Sequence, residues 1–151
     1  MLSVEEKKEL RVLFWQQFKV YSNKRRLKLK NPGKWLMNDT GIKQVNLKFD
    51  FTDEVALTGI DVVTRNLDKR IFLWEKLVGL KNILEEKVPY PLTWEFDYLL
   101  PENKSISRTY CIMNNVSVYE KTCWKQVFQF LFDGMYPMEQ IIVEYKDYFK
   151  N

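Results

Sequence analysis

Asp61 alternates with Val55, Leu57 and Val63, and Arg108 alternates with Ile106, Tyr110 and Ile112, so each sets a charge on an otherwise apolar strand face. Desolvating either charge alone costs several kcal/mol, which predicts that the two are partners. Such a pair is either structural or, on an exposed sheet face, a place to bind a ligand. Carboxylates also cluster along the chain at Asp50, Asp53, Glu54, Asp61, Glu95 and Asp97. A magnesium-dependent nuclease of the restriction type needs an aspartate near a strand end and a downstream Glu-x-Lys on the neighbouring strand. Two carboxylates then hold the ion and the lysine orients water. Asp61 could be the first carboxylate, but Glu95 is followed by Phe96 and Asp97, so the motif is incomplete and solvated strand faces are the expectation. The chain has no histidine and only two cysteines, Cys111 and Cys123. Ser-His-Asp and Cys-His catalysis are excluded, and a structural zinc site lacks ligands. No catalytic residue, metal site or cofactor is expected; the question of an enzyme stays open, and the chain reads more readily as a non-enzyme.

A second set of residues suits phosphate. Between Lys19 and Lys48 stand nine basic residues (Lys19, Lys24, Arg25, Arg26, Lys28, Lys30, Lys34, Lys43, Lys48) against Asp39 alone, although the whole chain is only +4. Lys24, Arg25, Arg26, Lys28, Lys30, Lys34 and Lys43 could track the backbone of DNA or RNA while Trp35 and Tyr21 stack on bases. A solvated helix end would carry the same charges, because the helix dipole favours cations at the C-terminus. Thr40-Gly41-Ile42-Lys43 precedes a strand and lacks the spacing of a phosphate-binding loop, so Gly41 reads as a turn residue. Thr40 and Lys43 remain able to contact an anion. Binding to a protein partner would instead draw on an aromatic patch at the C-terminal end, formed by Tyr136, Tyr145, Tyr148 and Phe149.

These side chains need a scaffold, and the periodicities supply one. Ser3 and Glu6 fit a capping box, and Leu10, Leu13, Phe14, Phe18 and Tyr21 follow at helical spacing, which predicts a helix from about Val4 to the mid-twenties. Turn signals at Asn31-Pro32-Gly33 and Asn38-Asp39-Thr40-Gly41 make an irregular connector around Trp35. From Gln44 to Phe51, Val45, Leu47, Phe49 and Phe51 face one way, the mark of a half-buried strand. Val55 to Thr64 is apolar on both faces, as a central hairpin partner would be. Leu67, Ile71, Trp74, Leu77, Leu80, Lys81 and Leu84 read as one amphipathic helix that ends before Pro89. A third strand sets Leu92, Trp94, Phe96 and Tyr98 on one face with Thr93, Glu95 and Asp97 on the other. A turn at Pro101 to Lys104 leads to a fourth, Ser105 to Met113, resumed at Val116 to Tyr119. Thr122 is the expected cap of the last helix, which Pro137 should kink or divide. The expected fold is α+β: a single domain over residues 1–151 in the order α-β-β-α-β-β-α, with one antiparallel sheet of about four strands and helices mainly on one face.

Composition agrees with a packed core, since 46% of residues are apolar, 15% are aromatic and 29% are charged. The N-terminus shows no basic region followed by an apolar one, and no stretch reaches the roughly 20 apolar residues that span a bilayer. No membrane association is expected. Two unpaired cysteines fit a reducing, cytoplasmic setting.

Phe14-Trp15, Trp35 with Thr40-Gly41-Ile42-Lys43, Asp61, Trp94-Glu95, Ile106-Ser107-Arg108 with Tyr110, and Tyr119 to Trp124 resemble, in order and spacing, a bacterial family known as domain of unknown function 4268. The resemblance runs from about Leu10 to Phe149. That family has no assigned activity. Some longer relatives carry the domain behind a segment that looks like a restriction-type nuclease, so the resemblance implies a setting of nucleic-acid metabolism, restriction or phage defence. Taken with the uneven charge, it suggests a non-catalytic nucleic-acid-associated accessory module. The alternatives are a protein-interaction or inhibitor domain and a diverged metal-dependent nuclease.

Overall fold

A computed structural model describes residues 1–150. Helix α1 (Val4–Lys28) opens with the capping box, in which Ser3 Oγ accepts from the Glu6 N–H and the Glu6 carboxylate accepts from the Ser3 N–H. Glu5 and Glu6 at its start and Arg25, Arg26 and Lys28 at its end both complement the helix dipole. Strands β1 (Val45–Phe51) and β2 (Val55–Val62) form one hairpin, and β3 (Thr93–Leu99) and β4 (Ser105–Asn114) form another. Antiparallel pairing of β2 with β4 joins them in the order β1-β2-β4-β3. The two central strands are therefore β2 and β4, which is why β2 is apolar on both faces.

One face of this sheet carries the core. Val45, Leu47 and Phe51 of β1, Ala56, Ile60 and Val62 of β2 and Cys111 of β4 are buried with Phe14 and Phe18 of α1 and with Leu131, Met135, Met138 and Ile142 of α4 (Trp124–Glu144). Gly134 lets α4 lie close on β2 and β4, since a Cβ there would stand 2.5 Å from Thr58 Cγ2 and 3.1 Å from Cys111 Sγ. Rings fill the space between α1, α4 and the β1 edge: Phe14 lies 4.7 Å from Phe51, 5.3 Å from Trp124 and 5.1 Å from Phe128. Among the described residues, no helix is long and apolar enough to cross a membrane.

Four local expectations are revised. The segment before Pro89 is two helices, α2 (Leu67–Val78) and α3 (Lys81–Lys87), with a break at Gly79 and Leu80, where the Tyr148 hydroxyl occupies the place a Cβ of Gly79 would take. The break keeps Leu77, Leu80 and Leu84 buried together and leaves Lys81 outside. Val116 to Tyr119 is no continuation of β4. Its Val116 and Val118 N–H groups donate to the Glu54 and Thr52 carbonyls beside the first hairpin turn. Thr122 does not cap α4, which follows directly on a 3-10 turn (Lys121–Cys123). Pro137 does not divide the last helix: it lies inside a continuous α4, where Met135, Met138, Ile141 and Ile142 are all buried.

Candidate functional site

The C-terminal half of α1 sorts its cations by helical phase. Phe14, Phe18, Ser22 and Arg26 recur every four residues and make up the buried face. Arg26 Nη2 lies 2.9 Å from Glu139 Oε1, in a pair with only 4% and 2% of the side chains exposed. Its Nε donates to the Asn31 carbonyl, and its guanidinium lies 4.6 Å from the centre of the Trp35 ring. The second oxygen of Glu139 accepts the Leu36 N–H at 2.9 Å, and Ser22 Oγ accepts the Trp35 Nε1–H at 3.3 Å. One buried ion pair thus fastens the connector between α1 and β1 onto α4. Arg25 is partly buried, with Nη1 2.6 Å from Asp133 Oδ1 and the guanidinium 4.1 Å from the Phe132 ring. Burial disfavours its charge, but the hydrogen bonds and fields of Asp133 and Tyr21 prevail and its pKa is raised.

The nine cations of this segment therefore divide. Lys19, Lys24, Lys28, Lys30, Lys34, Lys43 and Lys48 are all exposed, whereas both arginines are taken up by acids of α4. Arg26 leaves the phosphate-facing set, and the four-residue spacing from Phe14 was the signal that could have shown it. Lys43 stands apart from the end of α1, beside Lys69 and Lys150 in a separate depression. Gly41 (φ 81°) is a turn residue as expected, and Thr40 is buried, donating to the Val45 carbonyl at 2.7 Å and accepting from the Ile42 N–H.

Trp35 is not a free stacking ring but one wall of a groove. The space between α1, the connector and β1 measures about 500 Å³ and is walled by Trp15, Phe18, Trp35 and Phe49. The Phe49 ring lies 6.2 Å from that of Trp15 and 5.5 Å from that of Trp35. Lys19 from α1 and Lys34 from the connector line it as well.

On the sheet face away from the core, the strand register aligns Asn46, Asp61, Arg108 and Glu95 in one row across all four strands. Asp61 and Arg108 pair as expected. Arg108 Nε donates to Asp61 Oδ1 at 2.7 Å and Nη2 donates to Oδ2 at 2.8 Å, a two-pronged contact. Burial opposes the Arg108 charge, and the hydrogen bonds and charge of Asp61 outweigh it, so the pKa is raised. Tyr98 covers the guanidinium at 4.3 Å and packs edge-on against Tyr110, whose hydroxyl donates to Glu95 Oε1 at 2.6 Å. Burial, reinforced by Glu95, pushes the Tyr110 phenol up to about 12, so it remains a donor. Leu57, Ile106 and Tyr110 are buried here outside the main core.

Alternation placed Tyr98 on the face of Trp94 and Phe96; the structure places it on the other. A bulge between Glu95 and Tyr98 inserts one residue into β3. Arg70 of α2 accounts for it, since its guanidinium lies over Phe96 at 4.5 Å and donates to Asp97 Oδ1 at 2.7 Å, drawing both residues to the helix side. The carboxylates considered for a metal go to separate partners: Asp61 to Arg108, Glu95 to Tyr110 and Asp97 to Arg70. Among the described residues, no three of His, Cys, Asp and Glu come together to hold an ion. The aromatic residues considered for a protein contact are also divided. Phe149 is buried, Tyr136 is stacked on Phe132 at 5.5 Å, and the Tyr148 ring lies beneath Lys76 at 4.6 Å.

An α+β domain with an aromatic groove beside exposed lysines, and an ion pair fixed on the far sheet face, is what these elements define. The family model for the domain of unknown function DUF4268 matches residues 10–146, and the chain belongs to that family. No curated protein and no solved structure matches the chain.

Proposed function

We propose that this domain is a non-catalytic module that binds DNA or RNA through the lysines at the end of α1 and along the connector. The observation that carries the reading is the division of cations: every lysine from Lys19 to Lys48 faces solvent, while the two arginines of the same segment are paired with acids of α4. Lys24, Lys28, Lys30 and Lys34 remain as free charge for phosphates. Two free thiols suit the cytoplasm, and the family resemblance suits an accessory role in a bacterial restriction or phage-defence setting.

The test is binding to single-stranded and duplex oligonucleotides over a range of salt concentrations. On single strands each phosphate contact contributes a log-log slope of about −0.7, so changing Lys24, Lys28 and Lys30 to glutamine should flatten the slope by about 2 and weaken binding. An unchanged slope in the folded triple variant would refute the lysine surface.

A further inference from the structure

We infer that the groove between α1 and the connector seats one unpaired nucleobase, so that the domain prefers single strands to duplex; this rests on the nucleic-acid reading above. Four observations carry it. First, Trp15, Trp35 and Phe49 stay partly exposed and turn towards one groove, while Phe14, Phe18, Phe51 and Trp124 of the same ring cluster are buried. Second, the Trp35 ring is held in place before anything binds. Ser22 takes its N–H and Arg26 lies against its ring, so the ring has no unmet hydrogen bond of its own. Third, the charge is one-sided: Lys19 and Lys34 approach from two different elements, and among the described residues the lining contains no carboxylate. An apolar groove lined by aromatic rings and by a lysine from each of two elements matches a base whose two flanking phosphates point outwards. Fourth, the shape leaves room. At about 500 Å³ the groove is within the range of small-ligand sites, and Gly33 at its edge has only open space where a Cβ would project.

Strand selectivity follows from stacking. Both faces of a base inside a duplex are covered by its neighbours, and reaching the groove would require unstacking it at a cost of a few kcal/mol. A base in a single strand offers a face freely. Asn23, exposed on the groove wall, supplies an amide for the base edge.

The experiment titrates the full chain with a short oligothymidylate and with a duplex of equal length at low salt, reading a label on the oligonucleotide and the protein's own tryptophan fluorescence. The single strand should bind more tightly than the duplex and quench the tryptophans. Trp15→Leu should weaken strand binding about 5- to 150-fold without changing the salt slope. Asn23→Leu, which narrows the groove from an exposed helix position and favours helix, should act in the same direction and keeps the test informative if Trp15→Leu misfolds. Equal binding of strand and duplex, no quenching at saturation, or an Asn23→Leu effect within about twofold would overturn the seat for a base, and the lysine surface would stand if its slope change persisted. Failure of both oligonucleotides to bind folded protein would overturn both readings. Self-association of the oligonucleotide-free protein that Asn23→Leu abolishes would also overturn the proposal, assigning the groove to a second copy of the chain.

Discussion

Replacing Glu139 by glutamine keeps the shape of the side chain and removes its charge, and the structure allows the consequence to be worked out. Glu139 is almost wholly buried, takes Arg26 on one oxygen and the Leu36 N–H on the other. The amide can still accept one of these hydrogen bonds, but its NH₂ then faces the other donor and the Arg26 charge is left buried without a counter-charge. Breaking a buried pair from one side costs about 3 to 5 kcal/mol, a large part of the roughly 5 to 15 kcal/mol that keeps a domain folded. The double variant Arg26→Met, Glu139→Leu removes both charges and should recover much of this loss. What remains is the Leu36 N–H and the Asn31 carbonyl without their side-chain partners, at about 1 to 3 kcal/mol for each group that water cannot reach. Urea unfolding monitored by far-UV circular dichroism gives both numbers from the shift in midpoint at constant m-value. Amide exchange should also quicken through the connector, because Leu36 and Trp35 lose their tether. A Glu139→Gln loss below about 1 kcal/mol, or a double variant no more stable than the single, would refute the claim that this pair fastens the connector.

Leu47→Ala, on the buried face of β1, should destabilise by about 2 to 5 kcal/mol in the same assay, and a loss under 1 kcal/mol would contradict the β1 register. Asp61→Asn should cost about 3 to 5 kcal/mol because it leaves Arg108 buried and unpaired, and Asp61→Asn with Arg108→Met should be less damaging than the single change. At alkaline pH, Tyr110 is held protonated in the folded state up to about 12 against an ordinary value of 10, and burial holds the Cys111 thiol up to about 12 against 9. Both folded values are raised, so the stability they contribute is complete below pH 9 and is lost as pH climbs towards 12. Tyr110→Phe should reduce the part of that loss above pH 10, as checked by unfolding at a series of alkaline pH values.

Much of the scaffold was legible because its causes are local. The Ser3–Glu6 box, the alternation of Val45, Leu47, Phe49 and Phe51, and the two short hairpin turns each act within a few residues, and the structure contains all of them. The Asp61–Arg108 pair could be read at a distance for a different reason: a charge on an apolar face must find an opposite charge, and these two were matched. The phase that buries Arg26 was equally present in the spacing Phe14, Phe18, Ser22, Arg26, but charge alone pointed the other way.

Other features have causes that no local pattern contains. Asp133 and Glu139, more than a hundred residues further along the chain, decide that Arg25 is paired and Arg26 is buried. Tyr148 meets the break at Gly79, and Arg70 accounts for the bulge that turns Tyr98 over the ion pair. The groove needs α1, the connector and β1 to meet before it exists at all. Periodicity thus determined the elements and the pairing of their charges, because those depend on phase and desolvation along one segment. Which cations face solvent, which way Tyr98 points and where the aromatic rings open into a groove were decided only by tertiary packing, because each depends on a side chain that the fold brings in from a distant part of the chain.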